Sequence, residues 1–339
     1  MTDPTYTGGR LRNYFQFLAA FLYLFFARSL ALHGARGLVS DAWIPLAEQA
    51  MLVFLLLIGY SAMGFWMDGQ VHPVHEQGLP LRPGCLEEAG LGLATGWAVA
   101  LVCVLPLTVF GGIAISLSTG ASSWGRFVAD AAFFALFALA EEIAFRGYAF
   151  QRFSNAVGPT GAAVGFAAIY AILQALVPGA NHASFAVSFV LGLILSVCYL
   201  RTRALWVSWG LNFGWKASRA LLFGLAINGV GSHSPVVAGD PMGPLWLSGG
   251  AFGLDGSWLS FVVLLVALPV VFRLTHDLNY RYNAPVIVPG GIPVDLDAVA
   301  RAQHEAAMGP PAPTLVQIER TATGASAERA KREQPPATS

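Results

Sequence analysis

Eight apolar stretches recur between positions 14 and 274 of the chain, each of roughly the 20 residues that a helix needs to cross a bilayer. Backbone polar groups in lipid must be hydrogen-bonded within the protein, so helices are the expected spanning elements. The alternating pattern typical of a membrane β-barrel is absent from the sequence. The sequence therefore predicts an all-α integral membrane protein, a polytopic bundle of about eight transmembrane helices surrounded by the lipid bilayer. The stretches are Tyr14–Leu32, Pro45–Met67, Leu91–Leu117, Phe127–Ala149, Gly161–Val177, Phe185–Leu200, Leu205–Leu225 and Trp258–Leu274.

The composition excludes several classes of protein. Charged residues make up 11% of the chain and hydrophobic residues 55%, whereas soluble domains usually carry about 25% charged residues. A water-soluble globular enzyme is therefore excluded. The formal net charge is zero, so no overall positive field attracts nucleic acid, and no nucleic-acid partner is expected. The cysteines lie far apart in the sequence, which excludes a zinc ribbon.

The placement of arginines predicts the orientation of the bundle. With eight spans, four pairs of arginines lie on one side of the membrane, and the opposite loops at 177–184 and 226–257 contain neither lysine nor arginine. Basic residues are enriched in cytoplasmic loops, so both termini of this multi-pass cell-membrane protein are expected in the cytoplasm. The pairs are Arg10 and Arg12, Arg146 and Arg152, Arg201 and Arg203, and Arg273 and Arg281.

The last part of the chain differs from the rest in composition. Residues 283–339 are rich in alanine and proline and contain no aromatic residue. Such a segment cannot bury enough apolar surface to offset the entropy that is lost on ordering. The sequence thus predicts a transmembrane helical bundle over residues 1–282 and a disordered cytoplasmic tail over residues 283–339.

Two adjacent carboxylates, Glu141 and Glu142, lie inside the fourth apolar stretch. Ionisable residues within a membrane span are energetically unfavourable and are functional candidates by default. Arg146 follows Glu142 by four positions, so these two side chains share a helix face and can pair. Glu141 points about 100° away and has no partner on its own helix. It is therefore either a candidate general base or part of a polar clamp between helices.

The segment around these carboxylates, residues 138–147, resembles the first motif (Glu-Glu-x-x-x-Arg) of the CPBP family of intramembrane CAAX-processing and bacteriocin-processing proteases. The resemblance covers a core of about residues 127–257. At the second motif Gln174 stands where the family has histidine. At the third motif Asn212 replaces histidine and Lys216 replaces asparagine. The chain is identified as a divergent member whose motif histidines are replaced.

Spacing supports this alignment. Tyr170 precedes Gln174 by four positions and matches the aromatic residue of the second motif. Glu141 and Gln174 are nearly equidistant from a turn near Gly158 and Pro159, so an antiparallel helix pair would place them at the same depth in the membrane. A later glycine-rich stretch, residues 246–257, resembles a loop of some bacterial members of the family.

The resemblance implies an intramembrane endopeptidase that cleaves a membrane-anchored or lipidated peptide, such as a prenylated one. Glu141 would be the general base that activates water. Glu142 and Arg146 would hold the helix and the geometry of the site, and Gln174 and Asn212 would donate hydrogen bonds to the developing oxyanion. Neutral amides are poor zinc ligands, so no metal or other cofactor is assigned.

An alternative follows from the same replacements. Glutamine and asparagine cannot shuttle protons at neutral pH as histidine does. Lys216 adds a cation that could pair with Glu141 as a structural bridge. The chain would then be a catalytically inactive family member that acts as a membrane binding or immunity factor. A tight Glu141–Lys216 contact would favour this alternative, and an open cavity holding Glu141, Gln174 and Asn212 would favour hydrolysis.

Overall fold

The computed structural model describes residues 4–110, 112–118, 120–230, 236–276 and 278, with side chains described from residue 9 onward. The tail predicted at residues 283–339 lies outside this range. Within it the chain is almost entirely helical. The helices are α1 (Pro4–Leu38), α2 (Ile44–Asp68), α3 (Pro73–Glu76), α4 (Cys85–Val109), α5 (Ala121–Arg146), α6 (Tyr148–Val157), α7 (Pro159–Ala175), α8 (His182–Thr202), α9 (Trp206–Ala217), α10 (Leu245–Ser248) and α11 (Trp258–Leu274).

Four segments of the described chain are long and apolar enough to cross a membrane: Gly9–Leu38, Asp41–Asp68, Cys85–Val109 and His182–Thr202. Large apolar side chains such as Phe15 and Phe54 are exposed on the outer faces of α1 and α2. A soluble protein rarely exposes apolar patches of this extent, whereas a lipid-facing surface requires them. The structure therefore confirms an all-α membrane protein, and the count of about eight spans stays a prediction.

Two of the predicted continuous stretches are interrupted. The stretch Leu91–Leu117 does not form one helix, because α4 ends at Val109 and Ile113–Leu117 forms a strand, β1. This strand pairs antiparallel with β2 (Val237–Pro241), with Ile113 opposite Pro241. Gly112 lies between the helix and the strand, and the isoleucines that alternate at 113 and 115 favour a strand.

The stretch Phe127–Ala149 is likewise interrupted, because α5 ends at Arg146 and α6 begins at Tyr148. Gly147 forms the break. A Cβ atom added at Gly147 would overlap the carbonyl oxygen of Ile143, so the close approach at this point requires glycine. The consequence is that the chain leaves the carboxylate-bearing helix immediately after Arg146 and turns into the short helix α6.

A polar cluster around Asp68 fixes α6 against α1 and α2. Tyr148 donates a hydrogen bond to Asp68 over 2.7 Å, and Arg152 and Gln16 each donate one over 2.9 Å. Burial, followed by the hydrogen bond to Asp68, raises the pKa of the Tyr148 hydroxyl. Three helices are therefore joined at one carboxylate, which orients the break at Gly147.

Close contact between α4 and α9 depends on four glycines. Gly92 and Gly96 on α4 face Gly210 and Gly214 on α9, so each helix carries a G-x-x-x-G sequence. A Cβ atom at any of the four would overlap backbone of the opposite helix; at Gly92, for example, it would overlap the carbonyl oxygen of Val207. Small residues allow membrane helices to approach in this way. The contact fixes the position of α9.

Candidate intramembrane active site

The two predicted carboxylates lie in the last two turns of α5. Glu141 is 9% exposed and Glu142 is completely buried. Most of the neighbouring residues on this helix are apolar, and the helix packs against α2 and α9. The two carboxylates are therefore buried in this helix contact. Charged groups in such a position require compensating partners. The partners differ for the two residues.

Glu142 pairs with Arg146 on its own helix, as predicted. Arg146 Nη1 lies 3.4 Å from Glu142 Oε1, and both side chains are fully buried. Arg146 Nη2 also donates a hydrogen bond of 3.1 Å to the carbonyl oxygen of Gly192 on α8. Arginine offers several donors in a rigid fork, which suits a clamp of this kind. The pair therefore connects the end of α5 to α8.

Glu141 finds its partners on α9. The Nζ atom of Lys216 donates a hydrogen bond to Glu141 Oε2. Asn212 Nδ2 donates to Glu141 Oε2 over 2.9 Å and to Glu142 Oε1 over 3.1 Å. Lys216 is 2% exposed and its Nζ lies 4.3 Å from the centre of the Phe137 ring. The Glu141–Lys216 bridge that was expected for a catalytically inactive family member is thus present.

A cavity of about 670 Å³ opens beside this pair. Glu141, Tyr170 and Gln174 lie on its wall, together with mainly apolar residues of α1, α2, α5 and α7. Asn212 is completely buried and is not part of the wall. The structure therefore divides the predicted residues into two groups. Glu141 and Gln174 face the cavity, whereas Glu142, Arg146 and Asn212 lie behind Glu141 and support it.

The predicted helix hairpin is not how Glu141 and Gln174 come together. The turn at Gly158 follows α6, a separate helix of ten residues, rather than α5. Helix α7 packs mainly against α8, and α5 packs mainly against α2 and α9. Glu141 and Gln174 line the same cavity, and the chain passes from α5 to α7 through α6 rather than through a direct turn.

A third buried ion pair was not predicted from the sequence. Arg219 lies in a π-helical turn that continues α9, Ser218–Leu222, and is completely buried. Its Nη1 atom lies 2.9 Å from Oδ1 of Asp255, which belongs to the glycine-rich segment 246–257. The contact has the distance of an ion pair but not the angle of a hydrogen bond. A buried arginine in an apolar stretch is the signal that could have revealed it. The pair attaches the glycine-rich segment to the end of α9.

The polar centre does not fit a divalent metal ion. In the part of the chain that the structure describes, no group of three or more His, Cys, Asp or Glu side chains is close enough to hold one. The ammonium group of Lys216 contacts the Glu141 carboxylate directly, so a metal bound there would be repelled by a neighbouring positive charge.

Comparison with known proteins gives a family match over part of the chain. Residues 122–218 match the family model described as Rce1-like, type II CAAX prenyl endopeptidase Rce1-like. No curated protein and no solved structure matches the chain. The matched segment contains all five predicted site residues and runs from the start of α5 to the end of α9. Residues 122–218 are thus similar to the Rce1-like CAAX prenyl endopeptidases, and this match is consistent with the CPBP resemblance of the motifs.

Proposed function

We propose that the protein is an intramembrane endopeptidase that cleaves a membrane-anchored or lipidated peptide with water activated by Glu141. The observation that carries this proposal is the position of Glu141 and Gln174 on one cavity wall. The family match supports it, because the matched model is that of a prenyl endopeptidase. The apolar lining of the cavity favours a substrate with a hydrocarbon group beside its peptide.

The proposed reaction uses the groups of this chain alone. Oε2 of Glu141 accepts hydrogen bonds from Asn212 and Lys216, so Oε1 is the oxygen that receives a proton from water. The water oxygen bonds to the peptide carbonyl carbon, and the negative charge that develops on the carbonyl oxygen accepts a hydrogen bond from Gln174. The C–N bond then breaks, and the proton on Glu141 passes to the leaving amine. Lys216 balances the carboxylate charge throughout.

The membrane arrangement proposed for this enzyme has eight spans with both termini in the cytoplasm. Beyond the four long apolar helices, α5, α7, α9 with its π-helical turn, and α11 coincide with the remaining apolar stretches. Helix α6 is strongly amphipathic and lies at the end where Arg146 and Arg152 are found. Its position fits the cytoplasmic interface.

The proposal predicts that Glu141→Gln abolishes cleavage, because glutamine cannot accept a proton from water. The expected loss in rate is about 10²–10⁴-fold. The reporter is a prenylated-cysteine peptide with a fluorophore and a quencher on either side of the scissile bond, incubated with the purified full chain. Proteomic comparison of peptide termini in cells that express each form extends the test to natural substrates.

Two controls make this test specific. Glu87→Gln removes an exposed carboxylate at the start of α4, outside the cavity wall, and is expected to cleave at the wild-type rate. Glu141→Gln/Lys216→Met removes both charges of the buried pair together, so it separates loss of the base from loss of folding. A folded double variant that cleaves as fast as wild type would overturn the role of Glu141.

A second candidate function is favoured by the Glu141–Lys216 bridge. A catalytically inactive member of the family would bind a lipidated peptide in the cavity, or act as an immunity factor, and would release it uncut. The bridge supports this candidate because it holds Oε2 of Glu141 in a structural contact between α5 and α9. The discriminating result is retention of the intact peptide by the wild-type chain, with no cleavage over hours and no difference from Glu141→Gln.

A further inference from the structure

Tyr170 is a cavity residue whose hydroxyl group the family motif does not require. It lies on α7 one turn before Gln174, so both side chains are on the same face of that helix. Tyr170 is 3% exposed, and it forms part of the cavity wall together with Glu141. The corresponding motif position requires only an aromatic ring. The hydroxyl group is an additional feature of this sequence.

The ring of Tyr170 is fixed on two sides. It packs edge-to-face against the Phe145 ring with 5.3 Å between ring centres. The guanidinium carbon of Arg146 lies 5.8 Å from its centre. Both neighbours belong to the end of α5, directly after the two carboxylates. The ring is therefore positioned by the helix that carries the proposed base, and its orientation does not depend on the hydroxyl group.

Tyr170 shares the cavity wall with Gln174 and Glu141. A phenolic hydroxyl can donate a hydrogen bond, as the amide of Gln174 can. Two neutral donors therefore lie side by side on α7 where the wall faces the base.

We propose that Tyr170 is a further catalytic residue, whose O–H donates a hydrogen bond to the carbonyl oxygen of the scissile peptide as that oxygen becomes negative. This inference rests on the proposed peptidase function. Water oxygen bonds to the carbonyl carbon while its proton moves to Glu141, and the electron pair of the C=O double bond moves onto oxygen. Tyr170 and Gln174 both donate to this oxyanion, and neither gives up its proton. When the C–N bond breaks, the amine takes the proton from Glu141.

The proposal is physically reasonable because the site has lost the histidines of the family motifs. A single neutral amide stabilises an oxyanion less well than two aligned donors do. The hydroxyl of Tyr170 supplies the second donor without adding charge to the cavity. A phenylalanine at this position would retain the contact with Phe145 and lose only the donor. That difference of one oxygen atom is the basis of the test.

The experiment compares Tyr170→Phe with wild type on the prenylated-cysteine peptide. We expect kcat to fall by about 10²–10³-fold, as is typical for removal of one oxyanion donor, with KM changed by no more than about threefold. Tyr60→Phe is the matched control, since Tyr60 is a fully buried tyrosine on α2 that is not part of the cavity wall. This control is expected to cleave at close to the wild-type rate.

A second measurement separates catalysis from structure. A peptide aldehyde with the same prenylated cysteine forms a tetrahedral hydrate, whereas the matching alcohol does not. Wild type is expected to bind the aldehyde more tightly than the alcohol, and Tyr170→Phe is expected to lose this preference. Equal kcat in wild type and Tyr170→Phe, with Glu141→Gln inactive, would overturn the role of Tyr170 alone. A fall in kcat with the aldehyde preference intact would overturn it as well. A wild-type chain that cleaves nothing would overturn the peptidase function and this role together.

Discussion

Substitution of Lys216 by methionine is expected to lower the free energy of unfolding by about 3–5 kcal/mol, because it leaves the buried carboxylate of Glu141 without its compensating charge. Methionine has a similar length and fits beside the Phe137 ring, so lost volume contributes little. The hydrogen bond from Asn212 to Glu141 remains, but a neutral amide does not balance the charge. The effect is measured by chemical or thermal unfolding of the full chain in detergent micelles.

Variants of both members of the Glu141–Lys216 ion pair provide a control for this prediction. Glu141→Gln leaves an uncompensated ammonium group and is expected to be destabilising too, whereas the double variant Glu141→Gln/Lys216→Met removes both charges. The double variant should recover about 2–3 kcal/mol relative to the sum of the single variants. Simple additivity of the two single effects would contradict the buried ion pair between α5 and α9.

Substitution of Gly92 by leucine is expected to destabilise the protein by about 3 kcal/mol and to abolish activity. A side chain there would overlap backbone of α9 at Val207 and Leu211, and overpacking of a close helix contact has effects of up to about this size. Because α9 carries Asn212 and Lys216, forcing it away from α4 also moves the groups that hold Glu141. Unfolding in micelles and cleavage of the prenylated-cysteine peptide measure the two effects.

Gly90→Leu is a closely matched control for this prediction. Gly90 lies on the same helix two residues earlier, and a Cβ atom there would meet nothing within 4 Å among the described residues. Leucine also has a higher helix propensity than glycine. The Gly90 variant should therefore be as stable as wild type or more so. Equal stability of the Gly90 and Gly92 variants would contradict the backbone contact between α4 and α9.

Local patterns in the sequence predicted a large part of this fold. Apolar stretches of spanning length identified the helices, since a bilayer imposes one length and one composition on its spans. The pairing of Glu142 with Arg146 followed from their spacing of four residues on one helix. The interruptions at Gly112 and Gly147 were missed because hydropathy alone does not distinguish a continuous helix from a broken one.

The site itself was predictable only where a motif fixed the residues. Glu141, Gln174 and Asn212 were selected by resemblance. Asn212 contacts Glu141 and Gln174 lines the same cavity as Glu141, and their catalytic roles stay predictions. The pairing of Arg219 with Asp255 was not predictable, because it connects a helix to a loop 36 positions away and no local spacing rule applies. The glycine spacing at 92 and 96 and at 210 and 214 was a readable signal of helix contact.

The cavity wall comes from two parts of the chain. Glu141 and Gln174 lie within residues 122–218, the part that matches the family model. Leu24, Phe25 and Leu52, from α1 and α2, also line the cavity and lie outside that part. If the proposed peptidase function holds, changes in the size of these three side chains would alter which hydrocarbon groups fit while leaving the ion pair of Glu141 with Lys216 in place. The space for a hydrocarbon group is thus shaped partly by helices that do not carry the proposed base.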